Sequence, residues 1–209
     1  IVYFLNQMVS ENAMKSLPVY VDSPLAVAAS KIFKQYPEYF DEETFDFIRR
    51  EKHPALEFQG LRFVSSVEES KSLNEMKGPM VIISASGMAE AGRILHHLKN
   101  NIEDKSNTVL IVGWQAPNTL GRRLVDKDPK VRIFGEEYSL RAEVKTINGL
   151  SAHAGQDFLL KYAGAVKGRT KKIFLVHGEE EAAAALQAKF KEAGIGPVEY
   201  PTYQQEVEI

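Results

Sequence analysis

Two histidines occupy positions from which an imidazole can do chemistry. His153 lies in Leu150-Ser151-Ala152-His153-Ala154-Gly155, a run of small residues between an expected strand and an expected helix. His177 closes the apolar run Ile173-Phe174-Leu175-Val176 and is followed by Gly178, which lets the chain turn away. An imidazole at such a junction, projecting into a cleft, can ligate zinc or move protons near neutral pH. Either one alone fits a structural histidine better; two such junctions in one short stretch balance the functional reading against the structural one. The other three histidines read as ordinary. His53 sits in a charged loop, and His96 and His97 are adjacent on a helix, so they face different ways and lack the i, i+4 spacing of a helical metal pair.

A second candidate is Ser84-Ala85-Ser86-Gly87-Met88, where an apolar strand gives way to a helix. Unpaired N–H groups at such a start attract anions, phosphate above all, and Gly87 would allow close approach. The same pattern fits a plain helix cap at Ser86. It is neither a Walker A loop nor a Gly-x-Gly-x-x-Gly fingerprint. Arg93, Lys99, Arg122 and Arg123 would make either a basic rim to this loop or a solvated face. No Gly-x-Ser-x-Gly elbow occurs, and the absence of cysteine removes disulfides, thiolate zinc sites and thiol nucleophiles.

The elements that must hold these residues alternate. Apolar strands are expected at 18–22, 61–66, 80–84 and 108–112, each ending in small or polar residues such as Asp22-Ser23 and Gly113-Trp114-Gln115. The runs at 80–84 and 108–112 are continuously apolar, as in strands covered on both faces. Helices are expected at 25–36 and 89–99. This reads as right-handed βαβ units in an α/β fold with a mostly parallel sheet, where ligands sit beyond the carboxyl ends of the strands. Residues 131–147 read as a hairpin, followed by a helix at 156–166, a strand at 172–177, a helix at 180–193 and short terminal strands at 198–201 and 206–209. A soft boundary falls between about 126 and 136, giving domains 1–130 and 131–209.

With 209 residues, 44% hydrophobic and 26% charged, the chain can build a core without staples. Its 26 basic against 28 acidic residues leave a net charge of −2, so any nucleic-acid site must be a local patch. No apolar run approaches the length of a membrane helix, and the cysteine-free composition suits the cytoplasm. The opening Ile1-Val2-Tyr3-Phe4-Leu5 reads as a piece of a longer protein.

Taken in order, Val19-Tyr20-Val21-Asp22-Ser23-Pro24-Leu25-Ala26, Ser84-Ala85-Ser86-Gly87-Met88, Gly92-Arg93-Ile94-Leu95-His96-His97-Leu98, Gly113-Trp114-Gln115, Thr119-Leu120-Gly121-Arg122-Arg123-Leu124, Ser151-Ala152-His153-Ala154 and Leu175-Val176-His177-Gly178-Glu179 resemble the β-CASP nucleases of the metallo-β-lactamase superfamily, closest to their prokaryotic RNA-processing branch. The resemblance runs essentially end to end. It implies a β-CASP domain over most of 1–130, and over 131–209 the return of the chain into a metallo-β-lactamase domain, the RNA-specificity region. It implies hydrolysis of RNA phosphodiester bonds, by endo- or exonucleolytic cleavage, with two zinc ions in the full-length enzyme. It makes His153 the catalytic group at the scissile phosphate and His177 a zinc ligand. Ser86, Gly87, Met88, Ser151 and Ala154, with Asp22 and Ser23 at the first strand end, would contact phosphate and RNA. Single-stranded RNA is the implied partner, no membrane is, and a homodimer is allowed. The departures are Gly155, where relatives often carry Asp or Ser, the acidic run Ala89-Glu90-Ala91, and the lack of any His-x-His-x-Asp-His motif. That last absence predicts that the fragment, lacking the N-terminal metallo-β-lactamase half, neither holds zinc stably nor cuts RNA. A rival expectation is an RNA- or anion-binding module without chemistry of its own.

Overall fold

The computed structural model describes residues 1–15 and 17–207, which divide into two compact units, Ile1–Ser151 and Ala152–Ile209. In chain order the first unit runs α1 (Val2–Ser10), β1 (Val19–Asp22), α2 (Pro24–Gln35), α3 (Glu42–Glu51), β2 (Leu61–Phe63), α4 (Val67–Leu73), β3 (Val81–Ser84), α5 (Arg93–Asn101), β4 (Thr108–Ile111), α6 (Leu120–Val125), β5 (Lys130–Ile133), β6 (Glu136–Ser139) and β7 (Glu143–Thr146). The fold is mixed α/β with mainly parallel pairing. β1 lies between β2 and β3, parallel to both, with Val19 opposite Leu61 and Val81. All four residues of β1 are buried. The strands expected to be covered on both faces, β3 and β4, are less so: β3 is half-buried and Leu110 on β4 is 48% exposed. Among the described residues each of these has a strand neighbour on one side only, whereas β1 is central.

Helices α1, α3, α4 and α6 add to those expected from apolar periodicity, and the start signals of the last three are local. Asp41 accepts from Thr44 N–H, Ser66 and Glu69 form a reciprocal capping box, and Thr119 accepts from Arg122 N–H. Helix α5 begins four residues later than expected. Gly92 has φ +85°, and a Cβ there would lie 2.7 Å from the Ala85 carbonyl oxygen, so residues 85–92 form a folded loop instead.

The expected hairpin is real in its first half only. β5 and β6 pair antiparallel across the two-residue turn Phe134-Gly135, both with positive φ, as a type I′ turn requires. The stretch 141–147 instead supplies β7, parallel to β4, with Val109 opposite Val144. It is held there by the Ile102 carbonyl, which accepts from the N–H groups of Arg141 and Ala142. Ile102, Leu124, Val131 and Ile133 are fully buried in the same cluster, so 131–151 packs with the first unit.

The second unit comprises α7 (Gln156–Gly164), β8 (Ile173–Phe174), α8 (Glu180–Glu192) and β9 (Val198–Glu199). β8 and β9 pair in parallel, and Ala163, Phe190 and Ile195 form a small core with Leu160, Ile173, Leu175, Leu186 and Val198. Helix α8 carries Glu180 and Glu181 in its first turn and Lys189 and Lys191 in its last, matching the helix dipole. Of the expected strand 206–209, Glu206 and Val207 are irregular, and residues 208 and 209 lie outside the described residues. Among the described residues no helix is long and apolar enough to cross a membrane.

Candidate functional site

The carboxyl end of β1 holds a buried charge. Asp22 is 0% exposed, and its carboxylate accepts from Ser70 Oγ–H at 2.6 Å and Arg93 Nη1 at 2.6 Å, with His97 Nε2 at 2.6 Å. Arg93 and His97 are four residues apart on α5, so both reach the same point. Arg93 also donates to the carbonyls of Val64 and Ser65, and the other ring nitrogen of His97 faces Asn74 Oδ1 at 3.0 Å. Burial by itself pushes the Asp22 carboxyl up. The hydrogen bonds from Ser70, His97 and Arg93, and the charge of His97, outweigh it and hold the group below its ordinary carboxylate value.

This arrangement corrects four expectations. Asp22 has no surface to offer RNA, because its oxygens are taken by three side chains from α4 and α5. Ser23 is buried too, and its hydroxyl caps α2 by accepting from Ala26 N–H. Arg93, expected either at a basic rim or on a solvated face, is instead the internal counter-ion. His97, expected to be an ordinary helical histidine, is part of the network that joins α5 to β1.

The loop between β3 and α5 is braced from within. Ser86 donates its N–H to the Ala91 carbonyl, its hydroxyl accepts from Ala91 N–H, and its carbonyl accepts from Ala89 N–H. Gly87 and Met88 are exposed. A second loop, Gly113 to Thr119, is bonded to the first. Gln115 is 5% exposed, and its amide donates to the carbonyls of Gly87, Gly113 and Trp114 at 3.1 Å each. Gly121 N–H donates to the Met88 carbonyl, and the Glu90 carboxylate accepts from Leu120 N–H. Glu90, one of the acidic departures, therefore serves the start of α6. Trp114 stands out from this braced pair of loops, 55% exposed.

Gly121 has no room for a side chain. A Cβ there would lie 1.7 Å from Gln115 Oε1 and 2.9 Å from the Met88 carbonyl oxygen. Gly121→Ala gains about 1 kcal/mol of helix propensity, but overpacking costs about 1–3 kcal/mol. Gln115 cannot swing aside without losing its three bonds, so the clash wins. A lower urea midpoint than wild type is the expected result; an equal or higher one would show that the two loops are not locked here.

In the second unit His153 and Ala154 lie in an exposed irregular stretch, and Gly155 precedes α7 without a side-chain cap. The pairing of β8 with β9 continues to Leu175, whose N–H donates to the Glu199 carbonyl. The expected strand 172–177 is thus shorter, ending at Phe174, and His177 lies beyond it in an exposed bend with φ +59°. Tyr200 OH donates to the Gly178 carbonyl at 2.7 Å and fixes the turn beyond it. Ser151 is exposed at the last position of the first unit. Among the described residues no three His, Asp or Glu side chains converge where a metal ion would sit.

A family model described as the Beta-Casp domain matches residues 1–124, and one described as a Zn-dependent metallo-hydrolase RNA specificity domain matches residues 137–201. Ribonuclease TTHA0252 of Thermus thermophilus is 43% identical over 169 residues, covering 81% of this chain and 38% of the relative. Transcription termination factor FttA of Methanothermobacter thermautotrophicus is 30% identical over 184 residues, covering 84% and 28%. FttA of Methanocaldococcus jannaschii is 33% identical over 168 residues, covering 78% and 26%. The chain thus spans less than two fifths of the length of these curated relatives.

Proposed function

This chain belongs to the β-CASP family of metallo-β-lactamase-type nucleases, and from that premise we propose that it is part of a zinc-dependent ribonuclease hydrolysing RNA phosphodiester bonds. One observation carries the reading. His153 and His177 are both exposed at element junctions, inside the stretch that matches the Zn-dependent metallo-hydrolase RNA specificity domain. His177 is the proposed zinc ligand, presented by a left-handed turn that Tyr200 holds in place. His153 is the proposed proton donor to the phosphate or the leaving oxygen. On the first unit, the exposed residues Gly87 and Met88 are the proposed phosphate contact, braced by Ser86. Ser151 and Ala154 are proposed as further contacts.

Zinc bound in the complete protein would activate water and neutralise phosphate oxygens. The described residues do not themselves make that site. A catalytic zinc takes three protein ligands; no such set converges among the described residues, so the reading takes His177 as one ligand and assigns the others to residues beyond those described. Changing His177 to Ala in the full-length protein is expected to lower bound zinc and RNA hydrolysis together. If metal analysis and turnover both match wild type, His177 is not a ligand.

For the isolated 209-residue chain the second reading is an RNA- or anion-binding module without catalytic activity of its own. Zinc content separates the two, since the full enzyme is expected to hold about two ions per chain. A stoichiometric zinc ion and RNA cleavage in the isolated chain would reject the binding-only reading.

A further inference from the structure

Trp114 is the sole tryptophan of this sequence, and the structure leaves 55% of it open to solvent. An exposed indole on a loose loop would mean little. This one stands on a rigid base. The residue after it, Gln115, is buried and bonded to three carbonyls, one of them that of Trp114 itself. The neighbouring loop is tied to the same base through Gly121 N–H and the Met88 carbonyl, and Met88 presents a second exposed apolar side chain, 38% open. The backbone beneath Trp114 is thus fixed from both sides, which lowers the entropy lost when a ligand packs on the ring.

We propose that Trp114 is a stacking platform for an unpaired nucleobase of single-stranded RNA, with Met88 as a flanking apolar contact. The proposal rests on the ribonuclease reading and names one subsite within it. An aromatic face accepts any base, so the platform holds the strand without selecting its sequence. Two further features favour a nucleic-acid strand over an apolar protein surface. The apolar contact consists of two side chains, Trp114 and Met88, and the chain leaves it through Arg123, exposed on α6 beside Arg122, whose guanidinium is paired with the Asp126 carboxylate at 2.9 Å. Stacking at the ring with a cation close along the chain is the combination that grips single strands.

The test compares full-length wild type, Trp114→Ala and Trp114→Phe for binding of a 2′-O-methyl oligouridylate and an abasic oligomer of the same length. Trp114→Ala is expected to weaken oligouridylate binding roughly 5- to 150-fold, the worth of one stacked base. Trp114→Phe should keep most of the affinity. The abasic oligomer should bind wild type and Trp114→Ala alike. The slope of log K against log salt should not change, because stacking releases no counterions. The fluorescence that Trp114→Phe removes should be quenched by oligouridylate and not by the abasic strand. Equal oligouridylate affinity in wild type and Trp114→Ala overturns the platform while leaving the ribonuclease reading intact. If wild type binds neither oligomer at low salt, both the platform and the RNA reading fall.

Discussion

Replacing Asp22 with alanine is expected to destabilise the first unit by about 3–5 kcal/mol, the usual cost of removing one partner from a buried ion pair. The reason lies in what stays behind. Arg93 keeps a side chain only 17% exposed and His97 one only 6% exposed, and both lose the carboxylate they face. Ser70 loses its acceptor as well. Because α5 is tied to β1 through these bonds, the β3–α5 loop should loosen with the helix. Asp22→Asn keeps the shape and removes the charge, so it should fall between wild type and alanine. Urea denaturation measures both; a loss under 1 kcal/mol for Asp22→Ala would mean that the network contributes little to stability.

The same group sets an acid limb. Its folded value lies below the unfolded carboxylate value of about 3.9, so the native state binds this proton less readily than the unfolded chain does. Asp22 therefore contributes stability that is complete above about pH 4 and is lost as the pH falls through the folded value. Wild type should lose stability over that acid range more steeply than Asp22→Asn. Parallel pH curves for the two proteins would place the acid sensitivity elsewhere.

Why the sequence showed some of this and concealed the rest follows from the range of the interactions. The strand at 19–22, the helix that Ser23 and Pro24 start, and the chain order of the small-residue turns are written in neighbouring residues. The partners of Asp22 are not: Ser70, Arg93 and His97 lie 48, 71 and 75 residues away. A strand-end aspartate that anchors the interior and one that meets a ligand have the same local sequence. The one hint was the i, i+4 spacing of Arg93 and His97, an acid-seeking pair on a single helix face. The 141–147 stretch misled for the same reason. Its apolar alternation fits a hairpin with β5, but the carbonyl of Ile102 draws it beside β4 instead. Trp114 shows the converse: its exposure depends on Gln115 being buried beneath it, and nothing in Gly113-Trp114-Gln115 says which of the two side chains turns inward.

His153→Ala in the full-length protein is expected to reduce RNA turnover about 10²- to 10⁴-fold, the range in which a positioned proton donor contributes, with zinc content unchanged. Stability should change much less than it does for Asp22→Ala, because His153 is exposed in an irregular stretch ahead of α7, outside the Ala163–Phe190–Ile195 core. That separation is what makes the experiment decisive. A structural histidine, once removed, takes activity down only as far as it takes the fold down, so the urea midpoint and the rate would drop together. A zinc ligand takes metal and rate together, as expected for His177. A group acting at the phosphate, by moving the proton or by holding the substrate, loses rate while metal and midpoint stay in place, and of these only the proton donor also removes a limb of the pH–rate profile. His153→Ala with near-normal turnover would remove the proton-donor role and return His153 to the surface of the second unit as an ordinary polar residue.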